Sequence, residues 1–498
     1  MEPFRNRVSE SSCGGLHHCF TIAKRIRRVS QPPGTTRPSG SKLEEPELGN
    51  NLIKRSVSAA AIIIASLAYE YTGHAQQPSA QNTRKNDAVI QLGARLFQDE
   101  RFSTPKGDLP ASCSHCHMFD ESGQGIRARA DFLNRSWVSY RAQDPRREEL
   151  RNSPTLLDVS QMPRLHYDGE FGSLEELVKG TLSGRTMGWL PGEEQDAFDR
   201  IQRVILTDKS PEGSYRDQFK RAYGISVDTI SRADLIETVA KAISDFTRTL
   251  NSNRATPYDK FLEANGLESE PRRSESPAEY AGRLITRIAA LEAAGKIRLT
   301  AGFDAAALSG FKIFLSSNAS AHSGNCASCH APPLFTDFSF HNTGVSQSEY
   351  ESVHGEGSFA LLKIPNAGEA ARPSQRFRET PSARNTGCAD LGYWNFVDLK
   401  SSPLRRAGET DDHFLERMIG TFKTPTLRNL AYTNPYMHNG GFASLEDALE
   451  ELARLAAQAR EGLIRSADPE LVGIRISQED IAPLTAFLNT LNQDLRKN

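Results

Sequence analysis

The chain has 498 residues, enough for roughly three domains of ordinary size, with 38% hydrophobic and 24% charged residues. That composition excludes a collagen-like, wholly disordered or multi-span membrane protein. Lys and Arg number 60 against 62 Asp and Glu, a formal net charge of −2, so no global field for nucleic acid is implied.

Residues 1–50 are rich in Arg, Ser, Pro and Gly and lack an apolar period. They read as a disordered extension or a misassigned start, with Leu52 or Val57 as the alternative initiator. Lys54 and Arg55 then precede the apolar run Ser56–Ala68, and Gly73-His74-Ala75 offers small residues for cleavage. A basic flank, a short apolar run and a small-residue exit predict a signal peptide over 51–75 and export to the periplasm. The run is shorter than the ~20 apolar residues a membrane span needs.

Further on, Leu92-Gly93-Ala94-Arg95-Leu96-Phe97 predicts the end of an amphipathic helix. It leads into Cys113-Ser114-His115-Cys116-His117. Gly310-Phe311-Lys312-Ile313-Phe314 leads in the same way into Cys326-Ala327-Ser328-Cys329-His330. Cys-x-x-Cys-His is the attachment pattern of c-type haem: two thiols one helical turn apart take the porphyrin vinyls, and the next His reaches the iron. A zinc site would use both pairs but explains neither the following His nor export. The sequence therefore predicts two covalent haem c groups, on Cys113, Cys116 and His117 and on Cys326, Cys329 and His330.

An echo follows each motif. Pro154-Thr155-Leu156 precedes Tyr167-Asp168-Gly169 and Ser173-Leu174-Glu175-Glu176; Pro425-Thr426-Leu427 precedes His438-Asn439-Gly440 and Ser444-Leu445-Glu446-Asp447, at identical offsets. Ser173 and Ser444 are predicted N-caps. The expected fold is mainly α, with little strand alternation: two tandem cytochrome c-like haem domains with long loops. Their predicted bounds are 76–265 and 301–498, joined by a linker and helix over 266–300. A polar insertion, 345–415, is expected to be surface loop, a partner site or a lid; its Cys388 is expected to be an inert or buried thiol.

These blocks resemble the bacterial di-haem cytochrome c peroxidases and their MauG-type relatives. The shared stretches are Leu96-Phe97-x-Asp99-x-Arg101-Phe102-Ser103, Arg151-Asn152-Ser153-Pro154-Thr155-Leu156, Ala242-Ile243-x-x-Phe246-x-Arg248-Thr249-Leu250 and Pro257-Tyr258-Asp259-x-Phe261-Leu262. Two more are Phe422-Lys423-Thr424-Pro425-Thr426-Leu427-Arg428-Asn429 and Pro435-Tyr436-Met437-His438-Asn439-Gly440. The resemblance implies a peroxidatic N-terminal haem on His117 and a C-terminal haem fed by a small donor, cytochrome c or a cupredoxin. It also implies calcium between the domains, on the Asn152 side chain and the Thr433 and Pro435 carbonyls. Tyr167 stands where the family has an inter-haem tryptophan, either an electron relay or a buried core ring.

Two departures stand out. The family's distal Gln and Glu positions carry Leu177 and Thr186 or Met187, which supply no acid/base. Glu170, Glu175, Glu176, Glu193 and Glu194 are nearby substitutes. The far axial ligand of the second haem falls on Leu452, with Met418 and His413 as replacements. The leading expectation is an exported oxidoreductase that reduces hydrogen peroxide, with His117 and Tyr167 as reaction residues; a homodimer is compatible with it. The alternatives are MauG-like oxidation of an organic or protein substrate, and a non-enzymatic electron-transfer cytochrome.

Overall fold

Helices dominate, and most begin where a short polar side chain can cap them. The computed structural model describes residues 80–119, 126–128, 151–211, 213–317, 321–369, 371–383 and 385–494. The signal and extension expected over 1–75 lie outside the described residues. In chain order the helices are α1 (Ala80–Gln98), α2 (Cys113–Cys116), α3 (Leu174–Leu182), α4 (Glu194–Thr207), α5 (Tyr215–Tyr223), α6 (Arg232–Thr247) and α7 (Pro257–Ala264). After them come α8 (Pro277–Ala293), α9 (Ala305–Leu315), α10 (Val345–His354), α11 (Asp411–Arg417), α12 (Leu445–Arg460), α13 (Pro469–Val472) and α14 (Gln478–Asn489). Among the described residues strand is confined to two antiparallel pairs: β1 (His117–Phe119) with β2 (Ile126–Ala128), and β3 (Phe340–His341) with β4 (Phe422–Lys423).

The predicted N-caps are present. Ser173 accepts from the Glu176 amide at the start of α3, and Ser444 from the Asp447 amide at the start of α12. The repeat extends to backbone shape. Left-handed residues recur at Asp158 and Asn429, at His166 and Met437, and at Gly169 and Gly440. The members of each pair lie the same 271 residues apart. Isolated bridges Leu165–Phe171 and Tyr436–Phe442 keep that offset.

One apolar core gathers Leu92, Leu96, Phe97 and Phe102 with Ile201, Phe219, Val239 and Phe246. A second gathers Tyr258, Phe261, Leu284 and Phe311 with Phe335, Leu484 and Phe487. The cores change over between Phe246 and Tyr258. Each rests on a helix crossing that only glycine allows: a Cβ on Gly93 of α1 would sit 2.1 Å from the Ala242 oxygen of α6, and one on Gly310 of α9 would sit 1.9 Å from the Pro483 oxygen of α14. Both glycines precede a Cys-x-x-Cys-His motif, so these crossings set where the motifs emerge.

The stretch 345–415 differs from the surface loop expected of it. With its flanks it builds a third core, in which Phe377, Trp394 and Phe414 are at most 1% exposed. Between α10 and α11 its apolar residues sit in short turns and irregular backbone with neither a helical nor a strand period, which is why composition alone read as loop. Cys388 is buried there as expected; its thiol faces Glu379 Oε2 at 3.0 Å and takes the Asn385 amide at 2.6 Å.

Candidate functional site

The segment before the first motif is fixed by the Asp99–Ser103 block. Asp99 receives Arg101 at 2.6 Å and the Tyr215 hydroxyl at 2.7 Å, and Asp208 takes Arg95 and Arg101. Ser103 Oγ accepts from the Ala111 amide at 3.0 Å, delivering the chain to Ser112 at the head of α2. His115 Nδ1 turns back to Ser112 Oγ at 2.9 Å. His117 is different: its Nδ1 is buried and finds no hydrogen-bond partner among the described residues. Burial, with the nearby His166, pushes its basicity down to about 4, so it is a neutral imidazole at pH 7.

The second motif is better oriented. His330 Nδ1 lies 2.9 Å from the Phe335 carbonyl oxygen. A carbonyl only accepts, so Nδ1 carries the proton and Nε2 keeps its lone pair, the state a metal ligand needs. Burial also disfavours the charged ring. Phe335 itself is wedged among Tyr258, Phe314 and Phe487. The four motif cysteines form no disulfide among the described residues, and burial pushes Cys113 and Cys326 up to about 12. Paired thiols outside any disulfide, with an unprotonated imidazole nitrogen, suit a covalently held metalloporphyrin.

Between the two motif-bearing parts lies a dense charge network. Arg151 clamps Asp390 with Nε and Nη2 at 2.6 and 2.7 Å and reaches Asp168 with Nη1 at 2.5 Å. Arg378 pairs with Glu170 at 2.8 Å and approaches Asp168 at 3.5 Å. Burial alone would raise Asp390, but Arg151 overrides it and holds the carboxyl at about 2. Lys423 donates its backbone amide to the Tyr167 carbonyl and its ammonium to the Arg164 carbonyl, while burial lowers that ammonium to about 8. Phe422 stacks on His438 at 3.6 Å. Tyr167 thus sits at this junction, half-buried, with its phenol ionisation raised by burial. His166, Asp168 and Glu170 have the donor atoms of a cation site, but the two guanidiniums already neutralise both carboxylates.

Of the residues expected to hold calcium, Asn152 and Pro435 meet: the Asn152 amide lies 2.5 Å from the Pro435 oxygen and 3.3 Å from that of Met437. The Thr433 hydroxyl turns back to Leu430. Leu177 packs on the first core and Met187 is buried in it. Glu175 pairs with Arg248 and Glu193 with Lys106. Glu170 alone of the five acids joins the junction, where hydrogen bonds from His166 and Arg378 overcome burial and keep it ionised. Of the two replacement ligands, His413 is surface-exposed beside Glu409, and Met418 is buried in the third core. Leu452 packs near Met437. Sequence reasoning missed Arg378, Asp390 and Lys423, whose partners are distant in the chain and leave no local signal.

Residues 87–266 match the family model described as di-haem cytochrome c peroxidase. The cytochrome-c peroxidase IdrP1 of Pseudomonas sp. (strain SCT) is 22% identical over 452 residues, 87% of this chain and 91% of that protein. The cytochrome c551 peroxidase of Nitrosomonas europaea is 24% identical over 84% of each chain. The methylamine utilization protein MauG of Methylophilus methylotrophus is 24% identical over 80% of this chain and 81% of its own. The fold is that of a variant of the diheme peroxidase BthA from Burkholderia thailandensis, with a TM-score of 0.50 and 18% identity, covering 82% of this chain and 87% of that one. Through residues 87–266 and through relatives spanning four fifths of its length, this chain is similar to the di-haem cytochrome c peroxidases and MauG proteins.

Proposed function

We propose that the chain is an exported periplasmic di-haem oxidoreductase that reduces hydrogen peroxide with electrons from a small donor protein, cytochrome c or a cupredoxin. The observation that carries this reading is the pair of Cys-x-x-Cys-His motifs on a duplicated backbone, with His330 held by Nδ1 so that Nε2 is free to ligate. Cys113 and Cys116, and Cys326 and Cys329, hold the two groups through thioethers; His117 and His330 are their protein ligands. When bound, the haems supply one-electron redox chemistry and a peroxide-binding iron. Arg151, Asp168 and Asp390 anchor the Tyr167 loop between the halves, and Tyr167 is the relay. Asn152 and the Pro435 carbonyl, with that of Thr433, are the calcium ligands of this reading.

The packing of Leu177 against the first core and the burial of Met187 in it favour a second reading, MauG-like oxidation of an organic or protein substrate. No acid/base side chain stands at those positions to move a proton across peroxide, a contribution of typically about 10²–10⁴-fold. Peroxide turnover with reduced donors, measured by stopped flow on the haem-loaded chain, tests the first reading; no turnover with any donor would overturn it. Substrate oxidation with no donor present would establish the second.

A further inference from the structure

The loop carrying Tyr167 is short and polar, so its shape depends on what it touches. His166 and Gly169 both take the left-handed conformation, φ 62° and 68°. A Cβ on Gly169 would lie 2.5 Å from Phe340 and 3.1 Å from Tyr393, two rings stacked at 3.8 Å. Tyr393 comes from the stretch 345–415, and so do Arg378 and Asp390, which face each other across an antiparallel bridge. Neighbouring backbone bonds, Leu391 to Phe377 and Tyr393 to Thr421, tie that bridge to the residue before β4.

The two charges grip the loop from opposite ends of one network. Arg378 takes Glu170, three residues beyond Tyr167, and its guanidinium lies over Phe396 at 4.8 Å. Asp390 takes two bonds from Arg151, whose third bond goes to Asp168. Asp168 is fully buried, so the loop cannot move away without leaving a carboxylate unpaired in the interior. Stacked rings on one side and paired charges on the other leave the loop a single seat.

We propose that Arg378 and Asp390 are positioning residues for Tyr167, locking the 166–170 loop to Arg151 so that the aromatic ring keeps one place between the two motif-bearing halves. The stretch 345–415 is then a clamp on the junction. The proposal rests on the reading of Tyr167 as relay for its consequence, but not for its geometry.

The test uses the haem-loaded full chain with a fluorine label on the Tyr167 ring, whose NMR line near paramagnetic iron reports ring position. Arg378→Gln is expected to shift or broaden that line and to slow electron redistribution between the centres about tenfold, since misplacement on the order of 1 Å can cost about 10²-fold. Arg378→Lys, which keeps the charge, is expected to restore most of both. Asp390→Asn is the second variant should Arg378→Gln fail to fold, and it must move the same line. A lowered melting temperature with an unmoved fluorine line in either variant would overturn the proposal. Tyr167→Phe with an undiminished transfer rate would instead overturn the relay reading, while the fluorine line still decides the positioning.

Discussion

Replacing Gly310 by Ala tests whether the helix crossing ahead of the second motif holds that half together. The new Cβ would lie 1.9 Å from the Pro483 oxygen, 2.4 Å from its carbonyl carbon and 2.9 Å from Phe487 Cβ. An ordinary C···O contact is about 3.3 Å, so α9 and α14 must part by roughly 1.4 Å. The obstacle is backbone, which no rotamer change relieves. Overpacking costs typically about 1–3 kcal/mol, and this site belongs at the upper end. At about 2–4 °C per kcal/mol for a large domain, the melting temperature should fall by roughly 6–12 °C. Gly282 is the internal control. It lies within α8, exposed, and its added Cβ would meet nothing within 4 Å. Gly282→Ala should stabilise by up to about 1 kcal/mol through helix propensity. Denaturant titration of the haem-loaded variants measures both signs. A neutral Gly310→Ala, or equal loss in the two variants, would refute the reasoning. Because Gly324 donates to the Ile313 carbonyl, Gly310→Ala should also lower haem incorporation at Cys326 and Cys329.

Arg151→Met strands Asp390 and weakens the pairing of Asp168, and should cost about 3–5 kcal/mol by denaturation; a loss below 1 kcal/mol would show the junction to be solvated. Asp390 is held at about 2, below its ordinary 3.8, so its contribution is complete above about pH 4 and disappears as pH falls toward 2. Asp390→Asn should therefore flatten the acid limb of the stability profile between those values, and an unchanged limb would contradict the pairing. Ser173→Ala and Ser444→Ala each remove a helix cap and should cost about 1 kcal/mol. Serine at Cys113 and Cys116 together should remove one porphyrin mass increment and leave the other, as measured by intact-protein mass spectrometry.

Much of this protein is legible in one dimension, because the features concerned are local. Cys-x-x-Cys-His needs only five adjacent residues, an N-cap needs four, and a duplication shows itself as equal spacing. Hence both motifs, the caps at Ser173 and Ser444 and the mainly helical architecture could be read directly. The junction could not. Arg151 and Asp390 stand 239 residues apart, and Arg378 and Asp168 stand 210 apart; neither pair leaves a period or spacing. The clamp stretch read as polar loop because Phe377 and Trp394 bury themselves from single short turns, where no repeat marks a buried face. The tautomer of His330 belongs to the same class: a carbonyl five residues on decides it, but only after the chain has turned back through left-handed Phe335. The Cys-x-x-Cys-His pattern was written in neighbouring residues, whereas orientation and charge pairing arose only once distant segments met in a water-poor interior.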